Sequence, residues 1–160
     1  MLVEAKSEEP KNFLEDLRKE FPKIAIQILS ADAVYNPEHL KWVVRQSWLA
    51  KERGIMLAKR VELDILMRVA VSSQISDAIE IAGAKRNHRF IVIGIGAENE
   101  LQNLFSSVKK KCKIIPFPSA GQRQVLTRFR ITEKEIDASG QGKEPLLLAE
   151  KGLLELLEKL

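Results

Sequence analysis

The sequence has very few of the residues that build disulfides and metal centres. Among its 160 residues are one cysteine, Cys112, and two histidines, His39 and His88. A lone cysteine cannot form an internal disulfide, which favours a reducing compartment, and we expect a cytoplasmic location. A closed zinc site needs more Cys and His ligands than the chain has. We therefore expect neither a metal nor another cofactor.

Long apolar runs are also missing. No stretch approaches the roughly 18 apolar residues of a membrane span, so we expect no membrane partner. The N-terminus has an acid at Glu4 and no apolar run, unlike a signal peptide. Hydrophobic residues make up 45% of the chain and charged residues 30%, as in globular domains. The length suits a single domain over residues 1–160.

The net charge of +4 conceals an uneven distribution. Residues 41–130 carry 17 basic and seven acidic side chains, a net charge of +10, whereas residues 1–40 and 131–160 each have a net charge of −3. A concentration of positive charge of this size makes a polyanion such as nucleic acid a partner worth testing.

Apolar periodicity and capping residues predict an alternation of strands and helices. Strands are predicted at residues 2–5, 24–29, 63–71 and 90–93, and an extended loop at residues 114–118. Helices are predicted at residues 10–21, 37–58, 74–82 and 98–108. A short helix is predicted to begin at Thr132, and a last helix at residues 144–160 follows a flexible joint at residues 140–142. This pattern predicts an α/β (α+β) fold, with a sheet of about four strands covered by helices and a helix-rich C-terminal half.

No motif predicts an active site. His39 is interpreted as a polar surface contact, and Ser72 and Ser73 as caps for the helix that follows them. Residues 94–99 begin like a dinucleotide-binding turn, but Asn99 stands at the third glycine position and Glu98 would repel a phosphate. A small-molecule or nucleotide-binding domain that uses the turn from Gly94 to Asn99 is the alternative hypothesis.

The C-terminal helix has more leucine than one buried face requires. If Leu146, Leu153, Leu157 and Leu160 face the core, then Leu147, Leu154 and Leu156 need another environment. They either complete the core or form an exposed apolar patch of the kind that binds another protein.

Several segments carry a family resemblance. They are residues 53–60 (RGIMLAKR), 62–67 (ELDILM), 74–79 (QISDAI) and 129–136 (FRITEKEI), followed by the leucine-rich end. In this pattern the chain resembles, over residues 36–160, the kinase-binding subunit family of the KEOPS complex, which comprises the PRPK-binding protein and its archaeal and fungal relatives.

The resemblance implies a non-catalytic adaptor. The KEOPS complex installs threonylcarbamoyladenosine on tRNA, and this family binds its small kinase-like ATPase subunit and the acceptor CCA tail of tRNA. On this hypothesis we expect the kinase contact at Leu147, Leu154 and Leu157. We expect the RNA contact at eight polar and basic residues, namely Lys59, Arg60, Gln74, Lys85, Arg86, Lys109, Lys110 and Lys111.

Overall fold

The computed structural model describes residues 9–117, 121–140 and 142–160, and the backbone of residues 2–4. The strands are β1 (Leu2–Glu4), β2 (Ala25–Ser30), β3 (Phe90–Ile95) and β4 (Lys113–Ile114). The helices are α1 (Pro10–Glu20), α2 (Pro37–Glu52), α3 (Val61–Ala70), α4 (Ile75–Ala82), α5 (Glu98–Lys111), α6 (Arg123–Arg128), α7 (Glu133–Ser139) and α8 (Glu144–Glu158). The mixed α/β class that the sequence predicts is confirmed.

The elements form two compact units, each built from two stretches of chain. We call residues 1–31 and 83–116 the sheet unit, and residues 32–82 and 117–160 the helical unit. All the described strands belong to the sheet unit, whereas α2, α3, α4, α6, α7 and α8 belong to the helical unit. That the whole chain is one domain stays a prediction.

The sheet of the sheet unit is antiparallel, with the strand order β2-β3-β1-β4. Val3 of β1 pairs with Phe90 of β3 on one side and with Ile114 of β4 on the other. This register aligns the beginning of β3 with β4, so the segments that precede Phe90 and Ile114 lie at the same end of the sheet.

Helices α1 and α5 cover one face of this sheet. Phe13 of α1 packs edge-on against Phe90 with ring centroids 5.5 Å apart. Leu17 of α1 and Leu104 of α5 belong to the same buried core. Glu20 at the end of α1 accepts a hydrogen bond from Lys111 Nζ at 2.6 Å, which joins the C-terminal ends of the two helices.

The helical unit is organised around α3. All but one of its ten residues are buried, and it packs against α2, α4 and α8. α8 approaches closely at Gly152, because a Cβ there would lie 3.0 Å from the Phe129 ring and 3.3 Å from Val71 Cγ2. Glycine therefore lets α8 come closer than any other residue would at this point.

The prediction of a strand at residues 63–71 is wrong, since this segment is the helix α3. Burial on every side requires apolar residues all around the helix, and this removes the 3.6-residue period from the sequence. The charged residues carry the helical signal. Glu62 and Asp64 lie in the first turn, where carboxylates favour the helix dipole, and Arg68 lies one turn after Asp64.

The prediction that the second helix continues to residue 58 is also wrong, because α2 ends at Glu52. Gly54 takes a left-handed backbone conformation with a φ of 68°. The amide of Gly54 bonds to the Lys51 carbonyl at 3.2 Å, and the amide of Ile55 bonds to the Ala50 carbonyl at 2.9 Å. This pair of bonds is a Schellman motif, which ends the helix and turns the chain toward α3.

Several local predictions are confirmed. Asn36 caps α2 by accepting from the His39 amide at 2.9 Å. Thr132 and Glu135 form the predicted capping box at the start of α7. Ser72 Oγ also accepts from the Gln74 amide at 3.1 Å, but Gln74 precedes α4, so this bond closes the turn before the helix and is not the predicted cap. Parts of the predictions at residues 2–5, 114–118 and 140–142 fall on Ala5, Pro118 and Gln141, which lie outside the described residues.

Candidate functional site

An apolar groove lies on the helical unit between the end of α2, the segment that follows it, and the C-terminal half of α8. Its volume is about 180 Å³. Its apolar walls include Leu49, Ile55, Leu57, Leu153, Leu157 and Leu160, and its polar lining residues are Gln46, Arg53 and Arg68. We call this feature the apolar groove.

Polar contacts hold the walls of the apolar groove in place. Gln46 Nε2 donates to the Ala149 carbonyl at 3.0 Å, which ties α2 to α8. Asp64 Oδ1 accepts from the Leu57 amide at 2.6 Å and Asp64 Oδ2 accepts from Arg68 Nε at 2.6 Å. A single carboxylate of α3 therefore positions both Leu57 and Arg68.

Three leucines in α8 and in the residues that follow it expose large apolar side chains beside this groove. Leu154, Leu157 and Leu160 are 62%, 58% and 75% exposed. Leu157 and Leu160 line the groove, and Leu154 lies three residues before Leu157 on the neighbouring part of the helix surface. Leu49 and Ile55 on the opposite wall are also exposed. The groove and the exposed leucines beside it form a largely apolar surface of the type that mediates protein association.

The structure places the three leucines of the kinase-contact hypothesis in different environments. Leu154 and Leu157 are exposed, whereas Leu147 is half-buried and packs against the core that contains Phe129 and Leu148. Sequence reasoning missed the part of the groove that comes from Arg53, Ile55 and Arg68. The available signal was Gly54, because a glycine followed by an apolar residue is typical of a helix that ends in a Schellman motif.

The eight residues of the RNA-contact hypothesis are divided between the two units. Lys59, Arg60 and Gln74 belong to the helical unit, where the Arg60 guanidinium pairs with Glu62. The other five belong to the sheet unit and are exposed, namely Lys85, Arg86, Lys109, Lys110 and Lys111.

The strand register brings these five sheet-unit residues to one end of the sheet. Lys85 and Arg86 precede β3, and the lysines from Lys109 to Lys111 form the last turn of α5 before β4. Their positive charge is partly neutralised, since Lys111 pairs with Glu20 at 2.6 Å. Hydrogen bonds from Lys111 and Ser107 lower the pKa of Glu20 and keep it ionised. We call these five residues the basic end of the sheet unit.

The turn of the nucleotide-binding hypothesis has a packing explanation. A Cβ on Gly94 would lie 2.7 Å from Leu104 Cδ2, and a Cβ on Gly96 would lie 3.3 Å from Ile24 Cγ1. Gly94 therefore lets α5 approach β3, and Gly96 lets Ile24, the residue before β2, approach the segment that follows β3. α5 begins with Glu98 and places a second acid, Glu100, in its first turn, where both oppose a bound phosphate.

His39 is buried, so its interpretation as a surface contact is wrong. It is 1% exposed, and its Nδ1 accepts a hydrogen bond from the Tyr35 amide at 3.3 Å. Burial, followed by the nearby charge of Arg128, lowers the pKa of His39 to about 4. The imidazole is consequently neutral and structural at neutral pH. It packs edge-on against Phe129 with ring centroids 6.1 Å apart.

Within the part of the chain that the structure describes, no cluster of three His, Cys, Asp or Glu side chains is arranged to hold a metal ion. None of the described helices has the length and apolar character needed to cross a membrane. The apolar groove and the basic end of the sheet unit are therefore the features that we take as candidate sites.

Comparison with known proteins agrees with a binding role. A search of curated proteins finds no match. The family model described as kinase binding protein CGI-121 matches residues 7–142, which is most of the chain and ends just before α8. The chain therefore belongs to the CGI-121 family of kinase binding proteins.

Proposed function

We propose that this protein is the non-catalytic KEOPS subunit that binds the kinase-like ATPase subunit through the apolar groove and recruits tRNA for threonylcarbamoyladenosine modification in the cytoplasm. Membership in a kinase-binding family supports the kinase partner. The observation that carries the location is the exposure of Leu154, Leu157 and Leu160 beside an apolar groove.

The physical argument for docking is the free energy of burying these side chains. Covering a fully exposed leucine stabilises a complex by roughly 1.5–3 kcal/mol, so a few leucines supply much of the affinity of an interface. The groove makes this apolar surface concave, so that a side chain of the partner can enter between α2 and α8. The walls keep their geometry through the contacts of Gln46 and Asp64.

The test of kinase binding is a pair of charge substitutions measured with the purified kinase-like subunit. Leu154→Glu and Leu157→Glu each place a carboxylate in the proposed interface and should abolish co-purification while leaving the circular dichroism spectrum unchanged. Phe105→Glu is the control, because Phe105 is an exposed apolar residue of α5 in the sheet unit. If the two leucine variants fold and still co-purify with the kinase, the location of the docking site is wrong.

The basic end of the sheet unit supports the tRNA part of the proposal. Lys85, Arg86, Lys109 and Lys110 are exposed lysines and arginines at one end of one sheet, where they can contact successive phosphates of a nucleic acid backbone. Lys59, Arg60 and Gln74 of the helical unit are proposed as further contacts. Each phosphate contact adds a salt-dependent term to the affinity.

The RNA contact is tested by the salt dependence of tRNA affinity. Lys110→Gln should reduce the slope of log affinity against log salt by about one unit. Lys41→Gln is the matched control, since Lys41 pairs with Glu38 on α2 of the helical unit. Removing the CCA tail from the tRNA should weaken binding by the intact protein. Equal affinity for tRNA with and without the tail would overturn recognition of the tail.

A further inference from the structure

The charged residues that line the apolar groove are Arg53 and Arg68, both cations. Each occupies a position that sequence reasoning did not assign to any site. Apolar walls alone would bind any apolar segment of a partner. A guanidinium at the base or the rim of the groove adds specificity, because it favours partners with a matching group next to that segment.

Arg68 is built into the floor of the groove. Its side chain is 7% exposed and its Nε is bonded to Asp64, which is fully buried. Among the described residues, Ser47 Oγ is the side-chain polar atom that is fully buried and lacks a hydrogen-bond partner. No nitrogen of Arg68 is in that state. The Nη groups of Arg68 have no described acceptor and are not closed off from solvent, and Arg68 is one of the residues that line the groove.

Arg53 stands at the rim of the groove as the C-terminal cap of α2. The residue is exposed, and no described carboxylate forms an ion pair with its guanidinium. Glu52, the nearest acid in sequence, instead accepts from Trp48 Nε1 at 3.0 Å on another side of α2. The groove therefore combines apolar walls with one unpaired cation at its rim and unused guanidinium donors at its floor.

We propose that the apolar groove binds an internal segment of the kinase-like subunit in which an apolar side chain is followed or preceded by an Asp or Glu. The apolar side chain enters between Leu49 and Leu157, and the carboxylate accepts hydrogen bonds from Arg53 and from the Nη groups of Arg68. A guanidinium suits a carboxylate because it offers parallel donors in a planar fork. This inference rests on the proposed function and adds Arg53 and Arg68 as the residues that determine specificity.

Burial of Arg68 explains why a carboxylate is the favoured occupant. A partner that covered the groove with apolar atoms alone would remove water from the Nη donors without replacing their hydrogen bonds. Donors that are desolvated and unpaired oppose binding, and a charged donor opposes it more strongly than a neutral one. An apolar segment without an acid should consequently bind more weakly than one that carries an acid.

The test measures the dissociation constant of the full-length protein for the purified kinase-like subunit at low and high salt. Arg53→Glu should weaken binding by about tenfold or more at low salt, and Arg53→Gln should flatten the salt dependence. Arg45→Glu is the matched control, because Arg45 is an exposed arginine of α2 that stacks on Trp42 and does not line the groove. Its affinity should stay close to that of the wild type.

Arg68 is tested with Arg68→Lys, which keeps the charge beside Asp64 but removes the fork of donors. We expect it to fold and to weaken binding by several-fold. A charge swap then identifies the acid, since one Asp or Glu of the kinase replaced by Lys should restore binding of Arg53→Glu.

The outcomes separate this inference from the proposed function. Suppose that Leu157→Glu abolishes binding but Arg53→Glu and Arg68→Lys bind with wild-type affinity and salt dependence. The partner segment then places no carboxylate beside the two arginines, and this inference is wrong, whereas the location of the docking site remains supported. If Leu154→Glu and Leu157→Glu also bind normally, or if the wild-type protein does not bind the kinase-like subunit, the docking proposal and this inference both fail.

Discussion

Asp64 and Arg68 form an ion pair, 2.6 Å from Oδ2 to Nε, in which the side chains are 0% and 7% exposed. They lie one turn apart on α3, and the second carboxylate oxygen of Asp64 accepts from the Leu57 amide. This relationship links the central helix of the helical unit to the segment that lines the apolar groove. The pair is neutral overall, and for this reason it can be accommodated inside a core.

Breaking this pair from one side should be costly. We expect Asp64→Ala to lower the free energy of unfolding by about 3–5 kcal/mol, because it leaves the Arg68 charge buried and removes the acceptor of the Leu57 amide. The double variant Asp64→Ala with Arg68→Met should cost less than the sum of the two single variants. Urea denaturation of all three variants measures the coupling, and strictly additive values would show that the two residues do not act together.

Stability should depend on pH through His39. The pKa of His39 is about 4 in the folded protein, below its ordinary value of 6.5, so the unfolded chain binds the proton more readily. Stability is therefore fully present above pH 6.5 and falls as the pH is lowered toward 4, by a total of about 3 kcal/mol.

The control for this pH effect is His39→Gln, which cannot titrate. Its stability should be nearly constant between pH 6.5 and pH 5, even if it is lower overall through altered packing. Glu135 contributes at lower pH, because hydrogen bonds from Thr132 and then Lys151 lower its pKa to about 2. The stabilisation that Glu135 contributes is lost as the pH falls below 4.5, the ordinary pKa of a glutamate. If His39→Gln keeps the wild-type slope above pH 5, another group causes the effect.

Gly94 should prove to be a packing residue of the sheet unit. Gly94→Ala places a Cβ 2.7 Å from Leu104 Cδ2 and 3.0 Å from Leu101 Cδ2, and we expect it to lower the free energy of unfolding by about 1–3 kcal/mol. Gly96→Ala should cost less, since its nearest contact is 3.3 Å away. A panel of nucleotides should not raise the melting temperature of the wild-type protein. A nucleotide that raised it, with the rise lost in Gly94→Ala, would instead favour the nucleotide-binding hypothesis.

The leucines of α8 should separate into structural and binding residues. Leu147→Ala should destabilise the protein by about 1–2 kcal/mol, because Leu147 packs against the core of the helical unit. Leu154→Ala should change stability by about 0.5 kcal/mol or less, because Leu154 is mostly exposed. Thermal unfolding of the two variants gives the comparison, and a larger loss from Leu154→Ala than from Leu147→Ala would contradict these placements.

Local signals in the sequence predicted most helices and strands correctly. Asn36 with Pro37 started α2, and Thr132 with Glu135 started α7, because capping depends on neighbouring residues alone. The two main errors have a common cause. Residues 63–71 are buried on all sides, and Gly54 lies in an apolar pattern that continues past the end of α2. In neither place does the apolar composition report the conformation of the backbone.

The candidate sites were predicted unevenly. The surplus of leucine in α8 could be counted in the sequence, and the structure shows Leu154 and Leu157 exposed. The sequence did not show which of these leucines pack against the core. The structure shows that Leu147 does so. Arg53 and Arg68 carried no functional signal, because neither belongs to a motif with a recognisable spacing.

The sequence by itself determined the mixed α/β class, the caps of several helices, the uneven charge and the resemblance to a kinase-binding family. Each of these depends on composition or on residues a few positions apart. Only the tertiary structure decided that residues near 50, near 68 and near 157 form one groove and that His39 is buried. Such arrangements depend on how α2, α3 and α8 pack against one another, and packing brings together residues that no local pattern connects.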